Sequence, residues 1–356
     1  MKRAILFCLL SISTVTFAKK VPAEPQPAWD ADLFRQTDQV FSSHIDFLYW
    51  RTLEGGLSYA LKMNSTPWNS TDTYPVGNYK NASYAMDPGF RIALSYFRAP
   101  RYWEVWGMYT RMTSRGQQQS SAPQNPNEFL DAVWPTYLSI LDQAKSWIHL
   151  NYNVADMFVD RYFNPNPHLR LRLIGGITGA WIDQNWTVRY LDIANNTTRV
   201  RNQWKFGGCG LRIGVYADWF WTTDIYLTFR GTLAALVGPY MNRVLQTTTA
   251  QPSSIYNPSL PIRNATYRDN RAATHLQLIL GPSWQKNWNA IRTELFAGYE
   301  LNGWLNLQEV YHSMGGVASG SKELWYNTGM LTLQGLTTRL TVDRSEERRV
   351  GKECLR

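Results

Sequence analysis

Phe90-Arg91-Ile92-Ala93-Leu94-Ser95-Tyr96 alternates apolar and polar or small side chains with a period of two. Successive side chains of an extended strand point to opposite faces, so this stretch has one apolar face and one face carrying Arg91 and Ser95. The same rule governs much of the chain. Leu57, Tyr59, Leu61 and Met63 alternate with Ser58, Ala60, Lys62 and Asn64, and Ile148, Leu150, Tyr152 and Val154 with His149, Asn151, Asn153 and Ala155. Leu169/Leu171/Leu173, Leu211/Ile213/Val215, Ile225/Leu227/Phe229, Leu276/Leu278/Leu280, Ile291/Thr293/Leu295 and Leu336/Leu340/Val342 repeat it. The chain is therefore read as all-β.

A soluble sandwich and a membrane barrel give the same alternation, so the connections have to decide. Strands placed near 44–63, 88–98, 102–112, 145–158, 168–182, 203–217, 224–238, 273–284, 289–302 and 325–342 are joined by links that alternate between long and short. The long links, 64–87, 113–144, 183–202, 238–272 and 303–324, are polar. The short ones include Asn164-Pro165-Asn166-Pro167. Tight periplasmic turns and free extracellular loops produce this segregation in a transmembrane, antiparallel, up-and-down β-barrel, here of about 10 strands within a range of about 8–14. Glu54-Gly55-Gly56 interrupts the first strand, and 130–141 could hold a further strand or a short helix. Trp103, Trp181, Trp204, Trp219, Trp221, Trp284, Trp288, Trp304 and Trp325 fall near strand ends, where interfacial girdles belong; packing in a core is the competing account.

The 356 residues include 14% aromatics and 18% charged residues, which argues against disorder, and no stretch has the roughly 20 apolar residues of a spanning helix. Met1-Lys2-Arg3, the apolar run 4–15 and Thr16-Phe17-Ala18 have the layout of a secretory signal peptide, 1–18. Residues 19–41 are then a periplasmic segment and 42–343 the barrel. The tail 344–356 breaks the alternating pattern, and Arg344 to Cys354 resembles a translated sequencing adapter. Setting aside Lys2, Arg3 and the five basic and three acidic tail residues lowers the formal charge from +9 to +5 and removes the main argument for nucleic-acid binding. Of the cysteines only Cys209 then remains, so no intramolecular disulfide forms; its parity with Leu211 makes it a small lipid-facing or packed residue.

Asp46-Phe47-Leu48-Tyr49-Trp50-Arg51, Gly179-Ala180-Trp181-Ile182-Asp183-Gln184 and Leu331-Thr332-Leu333-Gln334-Gly335-Leu336-Thr337 resemble the Legionella-type major outer membrane protein family of pore-forming barrels, also found in relatives of the chlamydiae. The likeness covers most of 42–343 and implies an outer-membrane location and a porin-like role, with no catalytic residue, metal or cofactor.

A charge on the lipid face costs roughly 2–4 kcal/mol at midplane, so charged strand residues belong on the opposite face. Lys62, Arg91, Glu104, Arg170, Arg172, Arg212, Arg230, Arg292, Glu294 and Arg339, with Asp46 and Glu300, are read as lumen-lining. Their excess of four positive charges favours anions, unless arginine–carboxylate pairs fill the interior and close it. The function expected is passive diffusion of small solutes or ions with mild anion preference. The alternative is a closed barrel acting as an adhesin or structural antigen through its loops, where a host-cell ligand would bind. Outer-membrane lipid surrounds either. A homo-oligomer is compatible with both, although no residue marks an interface. His44, His149, His168, His275 and His312 lack metal-ligand spacing. A hydrolase built on His149 is the minority reading, and a lumen-facing polar strip of His149, Asn151 and Asn153 the simpler one.

Overall fold

The computed structural model describes residues 39–64, 77–98, 103–125, 128–134, 136, 138, 140–166, 168–250, 261–288, 291–313, 323–327 and 330–346. They form fifteen strands: β1 Gln39–Leu53, β2 Ser58–Asn64, β3 Gly77–Asn81, β4 Met86–Arg98, β5 Trp103–Ser121, β6 Glu128–Ala132, β7 Leu141–Asn166, β8 Leu169–Asp192, β9 Thr197–Phe220, β10 Ile225–Thr248, β11 Arg263–Trp288, β12 Ile291–Leu305, β13 Glu309–Ser313, β14 Glu323–Asn327 and β15 Met330–Glu346.

Ten of them close a ring in the order β1-β4-β5-β7-β8-β9-β10-β11-β12-β15, with β1 pairing β15 antiparallel and β7 pairing β8. The register fixes the barrel's dimensions. Stepping across paired residues from Trp284 on β11, the row runs Leu295, Leu340, Ile45, Ile92, Tyr109, Ala155, Gly179, Cys209 and Val237, and returns to β11 at Ala272, twelve residues from its start. Ten strands with a stagger of twelve imply a tilt of about 40° and a backbone radius of about 10 Å, a bore that inward side chains can fill.

The sequence-based bounds are corrected at two places, and at a third one of two open alternatives holds. The first strand ends at Leu53, and Ser58–Asn64 is a separate strand that pairs with β3 and β6 outside the ring. The segment 130–141 does contain a strand, β6. Several predicted long loops are continuations of the strands, which reach 24–26 residues in β7 to β11. Such strands outrun the roughly 9–11 residues that cross a bilayer, so the barrel projects beyond the membrane on its long-loop side. At the other end β15 continues through Glu346, paired with Gln39 of β1, whereas 1–38 and 347–356, with the signal peptide and most of the adapter-like tail, lie outside the described residues.

Projection explains an inverted face. Ile148, Leu150, Tyr152 and Val154 point inward and are buried, while His149, Asn151 and Asn153 face out. Nearer the short turns the same strand reverses its chemistry, with Asp156 and Asp160 buried inside and Met157 and Phe163 exposed outside. Lipid surrounds one part of the wall and water the other, so one parity is apolar below and polar above.

The exposed apolar belt includes Phe47, Ile92, Leu173, Ile213, Leu233, Leu278 and Leu340. Trp103, Trp219, Trp221, Trp284 and Trp288 are exposed at its short-turn rim, and Trp181 is exposed on its long-loop side. Trp204 and Trp304 are fully buried inside the barrel, so core packing is the correct account of those two; the side chain of Trp325 lies outside those described.

Candidate functional site: the barrel interior

Alternation aims every second side chain of ten strands into a narrow bore, so the interior is the place where chemistry-bearing residues meet. Its contents change with height. Close to the short turns, Arg170 donates to Asp218 Oδ2 from Nε at 3.0 Å and from Nη2 at 2.8 Å, and Thr228 donates to Oδ1 at 2.9 Å. Arg292 pairs with Asp343, and Glu104 accepts from Ser95 and Tyr162.

Higher in the bore, Arg91 Nη1 lies 2.9 Å from Asp46 Oδ2 and Arg91 Nη2 lies 2.6 Å from Glu300 Oε1. Arg339 holds Asp46 with two hydrogen bonds of 2.8 and 3.0 Å, and Glu300 also accepts from Gln277, Asn302 and Thr337. Arg212 meets Asp156 at 3.1 Å, Gln277 at 3.1 Å and His275 at 2.9 Å. Isolated charges cost several kcal/mol to bury, and this mutual saturation is what makes so many tolerable.

Above this layer the interior turns apolar. Trp50, Tyr59, Trp134, Trp186, Tyr190, Tyr240, Trp304, Leu331 and Leu333 belong to one buried cluster. Leu57 comes from the segment leading into β2, Tyr59 and Ala60 from β2 itself, and Leu130 and Trp134 from β6 and its end, so β2 and β6 help cap the bore, with β3 exposed and paired to β2. Tyr190 donates to the carbonyl of Tyr59, tying the ring to the cap. Beyond the membrane-spanning part, Glu54 accepts hydrogen bonds from Tyr84 at 2.9 Å and from Gln184. Burial pushes its carboxyl up to about 8, against those hydrogen bonds, which pull it down.

Arg91, Glu104, Arg170, Arg172, Arg212, Arg230, Arg292, Glu294 and Arg339 are all buried. Lys62 does not join them: on β2 it pairs with Glu128 at 2.7 Å and is 39% exposed. Sequence reasoning missed Asp156, Asp160, Asp218, Arg271 and Asp343. Asp156 and Asp160 share the inward parity of Phe158 and Tyr162, a signal that the apolar inward residues of the upper half of β7 mask in the sequence. The expected excess of four positive charges is corrected accordingly, since the buried charged residues described comprise eight arginines and nine carboxylates.

Three of the histidines have separate surroundings: His149 bonds Asn151 at 3.1 Å on the outer wall, His275 stacks on Trp304 inside, and His44 lies beside Trp106. The polar strip of His149 is thus on the outer wall and not in the lumen. Cys209 is exposed on the outward face, the lipid-facing option.

The family model described as Legionella pneumophila major outer membrane protein precursor matches residues 36–343, which include all but the last three residues of the ring. The chain belongs to this family. Its members' location, the outer membrane, agrees with the apolar belt, the aromatic rim and the closed ring. No curated protein matches the chain. Among solved structures, the outer membrane protease OmpT from Escherichia coli is similar at 9% identity and a TM-score of 0.41, over 86% of this chain and 97% of that one. A Pseudomonas aeruginosa FadL homologue follows at 8% identity and 0.25, covering 86% and 90%, and the P. putida toluene transporter TodX at 10% and 0.21, covering 87% and 90%. Likenesses of this size bring neither a substrate nor an activity with them.

Proposed function

We propose that this outer-membrane protein is a porin-like pore that passes small solutes and ions by passive diffusion, and that the conformation described is its closed state. The observation that carries the reading is the chemistry of the bore at membrane height. Replacing buried ion pairs by apolar side chains often costs nothing or stabilises a protein, so stability alone gives little reason to fill the bore with Arg91, Asp46, Glu300, Arg339, Arg212 and Asp156. A polar bore suits water and ions. The apolar cap stands above it, so conduction requires β2, β3 and β6 to move aside. With arginines and carboxylates nearly balanced, ion selectivity is weak. The protein is not an enzyme in this reading, and it needs no cofactor.

The cap also favours a second reading, the closed barrel whose extracellular loops bind a host-cell ligand, because Leu57, Tyr59 and Trp134 fill the bore. Liposome swelling separates the two. Vesicles carrying the refolded protein should swell in isosmotic small sugars faster than protein-free vesicles, and faster for smaller sugars. Swelling at the protein-free rate, both for the whole chain and for a variant without the cap, would leave the loop-binding reading in place.

A further inference from the structure

Paired charges dominate the interior, and Arg230 departs from that pattern. It stands on β10 with its side chain inward and 9% exposed, its Nε has no hydrogen-bond partner, and no described carboxylate lies within ion-pair distance. Its guanidinium carbon sits 4.9 Å from the ring centre of Tyr216.

The register explains why no partner reaches it. Arg172, Tyr216, Arg230 and Ile279 lie on one row across β8, β9, β10 and β11, all facing inward. On one side Ile279 offers no charge. On the other, Tyr216 separates Arg230 from Arg172, whose guanidinium carbon is 5.2 Å from the same ring, so the two cations are at most about 10 Å apart. Asp218, two residues from Tyr216 on the same face, is already held by two hydrogen bonds from Arg170 and one from Thr228. Arg172 donates from Nη1 to the Tyr162 hydroxyl at 3.4 Å and has long contacts of 3.9 Å to Asp160 and 3.7 Å to Asp218, while its Nε is unpartnered. Arg339 adds a third repelling charge against a single attracting carboxylate beyond ion-pair distance, Glu294, which meets Arg292 at 3.9 Å; Arg339 Nη1 is free of hydrogen bonds although its other nitrogens hold Asp46. A tyrosine face supplies part of what a guanidinium loses on leaving water, but it accepts no in-plane hydrogen bond from the N–H groups.

We propose that Arg230, with Arg172 and Arg339, forms a binding site for a small inorganic anion inside the barrel, halide in class. The anion accepts the unused guanidinium hydrogens and neutralises a cluster of cations that the protein's own carboxylates leave under-compensated. This site goes beyond the pore reading and does not require the barrel to conduct.

The test is crystallisation of the refolded barrel in sodium bromide, with bromine anomalous scattering as the readout, paired with thermal unfolding in sodium chloride and in sodium gluconate at equal ionic strength. The expected result is an anomalous peak in contact with Arg230 and a midpoint a few degrees higher in chloride, with both lost in Arg230→Met. If Arg230→Met does not fold, Arg230→Lys serves, and its chloride dependence should be weakened. A bromide-free Arg230 together with equal midpoints for the unmodified protein in both salts would overturn the site. A bromide peak in a barrel that never conducts keeps this inference and removes the pore; conduction without bromide at Arg230 does the reverse.

Discussion

Arg91 on β4 and Glu300 on β12 meet at 2.6 Å across a chord of the barrel that passes over two intervening strands, β1 and β15. The pair is separated by 209 residues of chain and has no exposure to speak of on either side. It therefore braces the wall from within, and Asp46 and Arg339 extend the brace along the strands between.

Removing one partner strands the other in the bore. Arg91→Met should destabilise the barrel by about 3–5 kcal/mol in reversible urea unfolding from detergent micelles. The double substitution Arg91→Met with Glu300→Leu should recover part of the loss, giving a clear coupling energy in the double-mutant cycle. Strictly additive effects would show that the bridge is not formed.

The ring, the inward set at membrane height and the outward belt were legible, because alternation around Arg91, Arg212 and Arg339 is strict where one face meets lipid. The cap was not. Leu57, Tyr59 and Met63 follow the same period-two rule on a strand that never enters the ring, and nothing local distinguishes the two situations. The upper wall was misread for a related reason. Periodicity gives two faces without saying which is inside, and the answer changes along β7 between Val154 and Met157 as lipid gives way to water.

Glu54 should make the cap sensitive to pH. A free glutamate titrates near 4.5 and this one at about 8, so the folded state holds the proton more tightly than the unfolded one. The stability this provides is present in full below about pH 4.5 and is lost as pH rises through about 8. Proteolytic release of the cap should accordingly be faster at pH 9 than at pH 6, and Glu54→Gln should remove the difference. An unchanged pH dependence in that variant would exclude Glu54 as its source.

The belt can be tested at Ile213, 62% exposed on the outward face of β9. Ile213→Arg should cost roughly 2–4 kcal/mol of folded barrel in lipid, read as a smaller fraction of the fast-migrating folded form on unheated gels. His149→Leu, on the same outer wall but above the belt, should leave that fraction nearly unchanged.

Gly335 has φ of +158°, and a Cβ there would lie 2.2 Å from the Tyr49 carbonyl oxygen and 2.8 Å from the Trp50 Cα. It faces Trp50 across β1, whose indole Nε1 donates to Thr337 at 3.0 Å and whose ring lies 5.6 Å from the Arg91 guanidinium. Gly335→Ala should cost on the order of 1–3 kcal/mol and disturb Trp50 fluorescence or near-UV dichroism, and wild-type stability with unshifted signals would contradict the close approach.

Conduction in this protein depends on a polar bore that a removable cap shuts. Ala82 N–H donates to the Leu57 carbonyl at 2.8 Å, so residues 58–81 can be excised and the neighbouring ends joined by a short glycine linker without moving β1 or β4, with Leu130→Ala and Trp134→Ala in the same variant to remove what β6 contributes to the cap. Single-channel recording in planar bilayers should then give brief, small openings for the whole chain and large, long-lived steps of weak ion selectivity for the excised variant. Folded barrels of both forms that never step above the bare-bilayer current would contradict it.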